Sequence, residues 1–495
     1  MRGKVIKSPT DTAPIDFILH DSSKENYRQE RIRHWDEVAD QMDAWSGWGG
    51  YYHQRLAQVY RFLVPPGRKI LEVGCGRGDL LAALEPAVGV GVDFSEQMLR
   101  RARQRHPELL FLCADSHNFD LGETFDAILL SDLVNDLWDV QAVLERLMPL
   151  TTSRTRIIIN TYSHLWELPL ALAGKLDLAK PNLYQNWLTV EDVSNLLQLT
   201  EFEIVRHWEE ILFPLPVPGV AGLSNRFIVK IWPFKYLALA NFILARPKMQ
   251  PRKPKKEPTV SVIVPARNEA GNISKIFART PEMGAGTELV FVEGHSRDDT
   301  YAAIEGEIAA HPEWKCKLLR QTGVGKGDAV RLGFAEAAGD ILMILDADLT
   351  VPPEDLPRFY QVLRSGKGEF ANGVRLVYPM EKEAMRFLNL LGNKFFSQAF
   401  SWLLGQPIKD TLCGSKAIWK TDYNLIAANR SYFGEFDPFG DFDLLFGAAR
   451  LGLKIVDLPI RYRERTYGTT NIHRWRHGWL LLKMVAFAAR RIKFI

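Results

Sequence analysis

Cysteine is scarce. The 495-residue chain has four, Cys75, Cys113, Cys316 and Cys413, without a CxxC pair or any other metal-ligand spacing. This argues against a disulfide framework and a structural zinc, and it suits a reducing compartment. Long apolar runs are missing as well, and none approaches the roughly eighteen residues that a spanning helix needs. Ile211 to Asn225 is uncharged but interrupted by Pro214, Pro216 and Pro218, and Tyr236 to Ala245 is too short. Met1 to Ser23 lacks the apolar core of a secretory signal, so the expectation is a cytoplasmic chain without a leader. Net charge is small, +3, which excludes a broad electrostatic pull on nucleic acid and confines any basic surface to a patch. What remains, 46% hydrophobic and 24% charged residues, is the composition of a soluble globular protein, and the length predicts two or three domains.

The chain is organised around Gly339 to Pro353, where the apolar run Ile341–Leu345 is followed by Asp346, Ala347, Asp348 and, after a short interval, Pro352-Pro353. A continuous apolar run fits a strand covered on both faces of a parallel sheet. Side chains at i and i+2 point the same way, so Asp346 and Asp348 can converge on one hard cation at the carboxyl edge of that strand, where ligands sit in open α/β sheets. A capped loop after a core strand is the plainer alternative for an isolated Asp-x-Asp.

Its neighbours repeat the device. Thr259 to Pro265 is an apolar strand that delivers Arg267, Asn268 and Glu269 into a loop; Glu288 to Glu293 delivers Gly294, His295, Ser296 and Asp298. Gly323-Val-Gly325-Lys326-Gly327 presents a lysine at a helix start, a geometry suited to an anion. Together these segments resemble the family 2 glycosyltransferases of GT-A fold, over about residues 259 to 472. The resemblance implies that Pro265, Arg267, Glu269, Glu293 and Lys326 bind a nucleotide sugar and that Asp346 and Asp348 hold Mg²⁺ or Mn²⁺ on its diphosphate. Gly294 stands where the family usually has a second acid, which leaves the base open. Asn372 to Leu376, Lys409 to Ala417 and Leu458 to Asn471, with a closing Arg465-x-x-Gly468-x-Thr470, resemble the dolichyl- and polyprenyl-phosphate sugar transferases. Arginine forks suit phosphate, so Arg375, Arg386, Arg461 and Arg465 are the expected acceptor-phosphate contacts. Asp441, at a predicted helix start, is either an N-terminal helix charge or a base for a sugar hydroxyl.

The first half follows a different pattern. Lys69 to Val73 reads as a strand carrying Glu72, followed by Gly74, Gly76 and Gly78 and a helix start. Glycines there let the backbone approach a ligand, and the helix N-terminus offers free N–H groups. A second strand ends at Asp93, placed to accept the hydroxyls of a ribose, a third at Asp115 and a fourth at Ser131-Asp132. This ordered set resembles the class I S-adenosylmethionine-dependent methyltransferases over about residues 30 to 245. It implies that Glu72, Gly74 and Gly76 face the methionine part, Asp93 the ribose and Asp115 the adenine, with Ser131 or Asp132 at the edge of the pocket. Tyr162, His164 and Glu167 occupy the region of substrate contacts, and Trp187, Trp208 and Phe213 are expected to form an apolar cap.

The expected architecture is α/β with two doubly wound domains: a Rossmann-like methyltransferase at 1–246, a Pro- and Lys-rich linker at 247–258, a GT-A domain at 259–473 and an amphipathic helix at 474–495. That last stretch alternates tryptophans and aliphatics with Arg and Lys and has no acidic residue, the composition of a helix lying in a headgroup layer. The expected protein is a bifunctional transferase, moving a sugar with inversion to a lipid-linked polyprenyl phosphate and a methyl group from S-adenosylmethionine, at the inner face of a membrane. One alternative is a glycosyltransferase acting on a soluble or polysaccharide acceptor that the partner domain methylates. Another is a nucleotide-sugar or S-adenosylmethionine sensor without catalysis, against which the intact Asp-x-Asp speaks.

Overall fold

A computed structural model describes residues 15–41, 49–175, 183, 185–248, 256–375, 387–430, 441–463, 465, 467 and 474–494, with side chains described throughout these except at 15–22, 40–41, 49, 387–391, 441 and 474–478. Its chain contacts separate into two units, Met1–Pro247 and Lys248–Ile495.

In the first unit the strands are β1 (Lys69–Val73), β2 (Val88–Asp93), β3 (Leu110–Cys113), β4 (Ala127–Ser131), β5 (Arg156–Tyr162), β6 (Phe202–Glu210) and β7 (Ala240–Pro247), in the sheet order β3-β2-β1-β4-β5-β7-β6. The apolar runs have two buried sides because alternate residues feed two cores. Leu71, Val73, Ile128 and Leu130 enter one, and Ile70, Leu129 and Ile158 enter the other. The helix Gly49–Leu63 covers the second face through Tyr52, Leu56, Val59 and Tyr60. β1 to β5 are parallel, so the ends of β1, β2, β4 and β5 deliver their loops to one rim. β7 runs antiparallel to both β5 and β6. This departs from a purely parallel winding, because the chain returns along β7 directly beside β5.

The second unit contains β8 (Val260–Ala266), β9 (Thr287–Glu293), β10 (Lys315–Arg320), β11 (Ile341–Ile344), β12 (Phe370–Val374), β13 (Lys416–Trp419) and β14 (Ile455–Pro459), in the order β10-β9-β8-β11-β13-β12-β14. β10, β9, β8 and β11 are parallel, while β13 is antiparallel to β11 and β12. The buried residues of β8, β9 and β11 form the core with Phe277, Phe359 and Leu363. Every loop singled out from the sequence of this half therefore leaves the sheet at the carboxyl ends of parallel strands, with β13 arriving from the opposite direction beside them.

Candidate functional site

β11 ends at Ile344, and Leu345 continues its direction, donating its N–H to Ile263 O at 3.0 Å. Asp346 and Asp348 follow, both half-buried. Lys326 opens the helix Lys326–Glu336 after Gly325 at φ 94, a conformation that favours glycine, and its Nζ lies 2.5 Å from Asp346 Oδ1. Asp348 Oδ1 accepts from Thr350 N at 3.1 Å and Thr350 Oγ1 at 2.8 Å. Its Oδ2 accepts from Arg465 Nη2 at 2.7 Å, and the same guanidinium donates from Nη1 to Glu269 Oε1 at 2.9 Å. Arg465, far along the chain, thus clasps two loops of the rim. Burial pushes the Asp346 carboxyl up, but the charge and hydrogen bond of Lys326, aided by Lys416 and Arg375, outweigh it and hold the group below its ordinary value. Glu269 is pushed up to about 7, mainly by burial with Asp348 adding to it, while Arg465 and Asn272 oppose the shift.

The loops after β8 and β9 are laced together. Asn268 N donates to Ser296 Oγ at 3.1 Å, Arg297 N to Asn268 Oδ1 at 2.8 Å and Glu269 N to Thr300 Oγ1 at 2.9 Å. Buried Glu293 accepts from Ser296 N at 2.5 Å, Pro265 is half-buried at the end of β8, and Arg267 points to solvent. A Cβ on Gly294 would sit 3.0 Å from Gln321 Oε1, a close contact with the tip of a side chain. Asn268, His295 and Leu349 hold φ of 58, 58 and 55, the left-handed region that side chains rarely adopt, and all three lie on these loops. Sequence reading had no signal for His295 and Leu349, because neither is a glycine.

The expected phosphate arginines separate. Arg375 donates to Asp410 from Nε at 2.7 Å and Nη2 at 2.9 Å; Asp410 is fully buried, and Arg375 outweighs that burial to hold its carboxyl down. Its guanidinium is committed to the 410–416 loop. Arg461 is exposed beyond β14, and Arg463 N donates to Thr350 O at 2.9 Å, which pins this stretch over the Asp348 loop. Arg386 lies outside the described residues. Asp441 opens the helix Asp441–Arg450, but its side chain is also outside them; Asp443, two positions on, is buried with Arg331 and Arg430 each at 3.5 Å. Two further site residues had been noted only as part of a family pattern. Gly414 roofs the metal loop so closely that a Cβ would collide with Lys326 Nζ and the Asp346 carboxylate, and buried Lys416 donates to Cys413 O.

The donor set fits a divalent cation. Both carboxylates already face cations, Lys326 and Arg465. Among the described residues no third His, Cys, Asp or Glu joins them. An ion held there would take its remaining ligands from phosphate oxygens and water, since Mg²⁺ usually takes one or two carboxylates beside substrate phosphates.

On the rim of the first unit, Gly74, Gly76 and Gly78 take φ of 74, 52 and 72, and a Cβ on Gly74 would lie 2.8 Å from Leu133 Cδ1. Glycine is therefore favoured by conformation at all three positions, and at Gly74 the Leu133 side chain also lies close. Asp93 accepts from Gly76 N at 2.8 Å and Ser95 N at 2.9 Å, and burial raises its pKa. Burial raises Glu72 strongly, and its buried Oε2 has no hydrogen-bond partner. Burial pushes Asp115 up, but hydrogen bonds from His117 at 2.8 and 2.7 Å and the charge of Arg28 bring it below its ordinary value. Asp132, at φ 53, accepts from Tyr52 Oη at 2.8 Å and Asn160 Nδ2 at 2.5 Å. Trp208 does not form a cap: it stands on β6, stacked on Phe242 at 5.4 Å. These glycines, the orphaned Glu72 oxygen and the acids at successive strand ends fit S-adenosylmethionine.

Each of the two α/β sheets thus gathers its candidate site residues at one rim, the carboxyl ends of its parallel strands. The chain matches the methyltransferase domain model over residues 70–153 and the glycosyl transferase family 2 model over residues 261–419, so it carries a methyltransferase domain and a family 2 glycosyltransferase domain. Curated relatives include the dolichol-phosphate mannosyltransferases of Pyrococcus furiosus, 29% identical over 48% of this chain and 67% of the relative, and of Saccharomyces cerevisiae, 38% identical over 21% and 40%. The undecaprenyl-phosphate 4-deoxy-4-formamido-L-arabinose transferase of Shewanella sediminis is 28% identical over 28% of this chain and 43% of its own. The chain thus spans between 40% and 67% of the length of these relatives. Similar solved structures include an S-adenosylmethionine-dependent methyltransferase from Thermotoga maritima (15% identity, TM-score 0.35, 44% of this chain and 99% of that one) and glucosyl-3-phosphoglycerate synthase from Mycobacterium tuberculosis (22%, 0.35, 48% and 82%).

Proposed function

We propose that the second domain transfers a sugar, with inversion, from a nucleotide sugar to a polyprenyl-phosphate-like acceptor, and that the first transfers a methyl group from S-adenosylmethionine. The observation that carries the first half is the Glu269–Arg465–Asp348 clasp beside the Lys326–Asp346 pair. It gathers cations and carboxylates from four loops at one rim, as handling of a diphosphate requires. An acceptor phosphate oxygen attacks the anomeric carbon from the face opposite the nucleoside diphosphate. The new C–O bond forms as the old one breaks, and its electron pair leaves with the diphosphate. Mg²⁺ or Mn²⁺ held by Asp346 and Asp348 would neutralise charge building on that leaving group. The acceptor oxygen is already anionic, so no side-chain base is needed. Lys326 and Arg465 orient the donor phosphates, Glu269 and Glu293 shape the nucleoside end with Pro265 and Arg267, and Arg461 stands at the acceptor side. Arg375 supports the 410–416 loop through Asp410.

In the first domain Glu72, Gly74, Gly76, Asp93 and Asp115 hold S-adenosylmethionine, whose sulfonium supplies the methyl group. Among the described residues no helix is long and apolar enough to cross a membrane, so the lipid acceptor implies a peripheral contact. The helix Arg474–Ala488 suits this role. It buries Leu481, Met484 and Ala488 and exposes Trp479 and Leu482, near a neighbouring helix that exposes Phe395 and Trp402. Mass spectrometry of products from a panel of sugar nucleotides with polyprenyl phosphate, with and without S-adenosylmethionine and chelator, tests the reading. Sugar transfer confined to soluble acceptors would refute it.

A further inference from the structure

The methyltransferase unit exposes an apolar platform that its catalytic core does not require. After β5, Leu165, Leu168 and Leu172 recur at helical spacing on one face, and Leu168 is 81% exposed. The connection between β6 and β7 does the same, with Val220, Leu223 and Phe227 outward at i, i+3 and i+7, followed by Trp232 at 72% exposure and exposed Tyr236. A water-facing helix normally turns such a stripe inward.

The two stretches belong together and to the reactive rim. Trp166 Nε1 donates to Leu237 O at 2.9 Å and Ser163 N to Leu239 O at 2.8 Å, both just past the carboxyl end of β5. That is the end of the sheet at which Asp93 and Asp132 lie. The outward pose is also fixed from beneath. Buried Glu210 pairs with Arg55 at 3.1 Å and with Lys230, and Asn225 Nδ2 donates to Phe213 O at 2.6 Å while Phe213 N donates back to Asn225 Oδ1 at 2.7 Å. Turning Val220, Leu223 and Phe227 inward would pull on the element that carries Lys230 and Asn225 and break a buried ion cluster, which is costly.

Charge selects the occupant. Residues 217–237 carry Arg226 and Lys235 and no acidic residue, Lys230 being buried against Glu210, while residues 165–172 carry one acid, Glu167, beside His164 at 3.5 Å. Arg226 lies over the Phe227 ring at 5.6 Å and Lys235 over Tyr236 at 4.8 Å, and Glu209 also faces Lys235 at 3.5 Å. Aromatic and aliphatic tips rimmed by cations complement an anionic lipid surface better than an acidic or purely apolar protein face. We infer that the methyltransferase unit docks on an anionic bilayer through residues 165–172 and 217–237, so that its methyl acceptor is membrane-borne. This rests on the first unit alone and stands or falls separately from the lipid acceptor proposed for the second.

The full-length protein, with Cys113 and Cys316 replaced by serine, is spin-labelled in turn at Leu168→Cys, Trp232→Cys and, as a control on another exposed surface, Leu199→Cys. Each is mixed with vesicles of phosphatidylcholine and phosphatidylglycerol, and S-adenosylhomocysteine affinity confirms the fold. The labels at 168 and 232 gain oxygen accessibility and lose contact with a water-soluble nickel chelate, while 199 is unchanged. On phosphatidylcholine alone, about tenfold more lipid is needed for the same response. Labels at 168 and 232 that stay in water while the protein floats with vesicles would overturn the inference and leave docking to the second unit. Labels already shielded before lipid is added would overturn it in favour of a second copy or another part of the chain, and gel filtration separates those two. An equal response on neutral vesicles would overturn the charge selection.

Discussion

The two rims handle their carboxylates in opposite ways. In the methyltransferase unit, Asp93 is held by the backbone N–H groups of Gly76 and Ser95, and Asp132 by Tyr52 and Asn160, donors without charge; Asp115 is the exception, with Arg28 at 3.1 Å. In the glycosyltransferase unit, Asp346 and Asp348 are held by Lys326 and Arg465, donors with full charge. Neutral donors leave the first rim electronegative, suited to a ligand that brings a positive sulfonium and hydroxyls. Cationic donors offset the second, suited to a polyanion that arrives with a metal. The partner of each acid is therefore more informative than the acid itself.

The largest expected effect comes from breaking the charged rim. Asp348→Asn lowers sugar transfer by about a thousandfold and leaves methyl transfer intact, as initial rates with each labelled donor will show. Wild-type transfer that persists in chelator would remove the metal from the comparison. Arg465→Lys keeps the charge but loses the fork between Glu269 and Asp348, and a loss of about ten- to a hundredfold in kcat/KM is expected. Equal activity would mean that the clasp is only structural.

On the neutral rim, Asp93→Ala weakens S-adenosylmethionine binding by about 1.5 to 3 kcal/mol, measured by calorimetry. The smallest effect sharpens the contrast through pH. Glu269 lies near 7 when folded, above its ordinary 4.5, so the folded state binds this proton more tightly than the unfolded one. Its contribution to stability is full below pH 4.5 and is lost as pH rises through about 7. Over that window the wild type loses thermal stability relative to Glu269→Gln, and the variant lacks the matching step in its rate profile. Parallel melting curves for the two proteins would place the titration elsewhere.

Much of this contrast was hidden in the sequence. The acids were legible because strands buried on both faces read as continuous apolar runs, and Glu72, Asp93, Asp346 and Asp348 stand in or just past the last residues of such runs. Their partners were not, because Arg465 reaches Asp348 across 117 residues and Arg375 reaches Asp410 across 35, and no local pattern encodes those meetings. β10 escaped notice for another reason. At the sheet edge its Lys315-Cys-Lys-Leu-Leu-Arg320 is only partly buried, so it lacks the apolar run that marks the central strands. The platform at 165–172 and 217–237 had no signal in the sequence, since composition alone does not say which side of a leucine faces water.

The pairing of β8 with β11 has a consequence for how the protein comes to exist. Thr259 N donates to Asp340 Oδ2 across 81 residues, and the neighbouring register joins Val260 to Ile341. Loop closure over such a span must be met before the contact is rewarded, so this strand pair forms late and slowly. During synthesis β8 and its other neighbour β9 emerge well before β11, and β8 waits with the edge that faces β11 open. A substitution such as Thr259→Val, remote from every reacting atom, should then lower the yield of soluble protein while leaving the specific activity of the folded fraction unchanged.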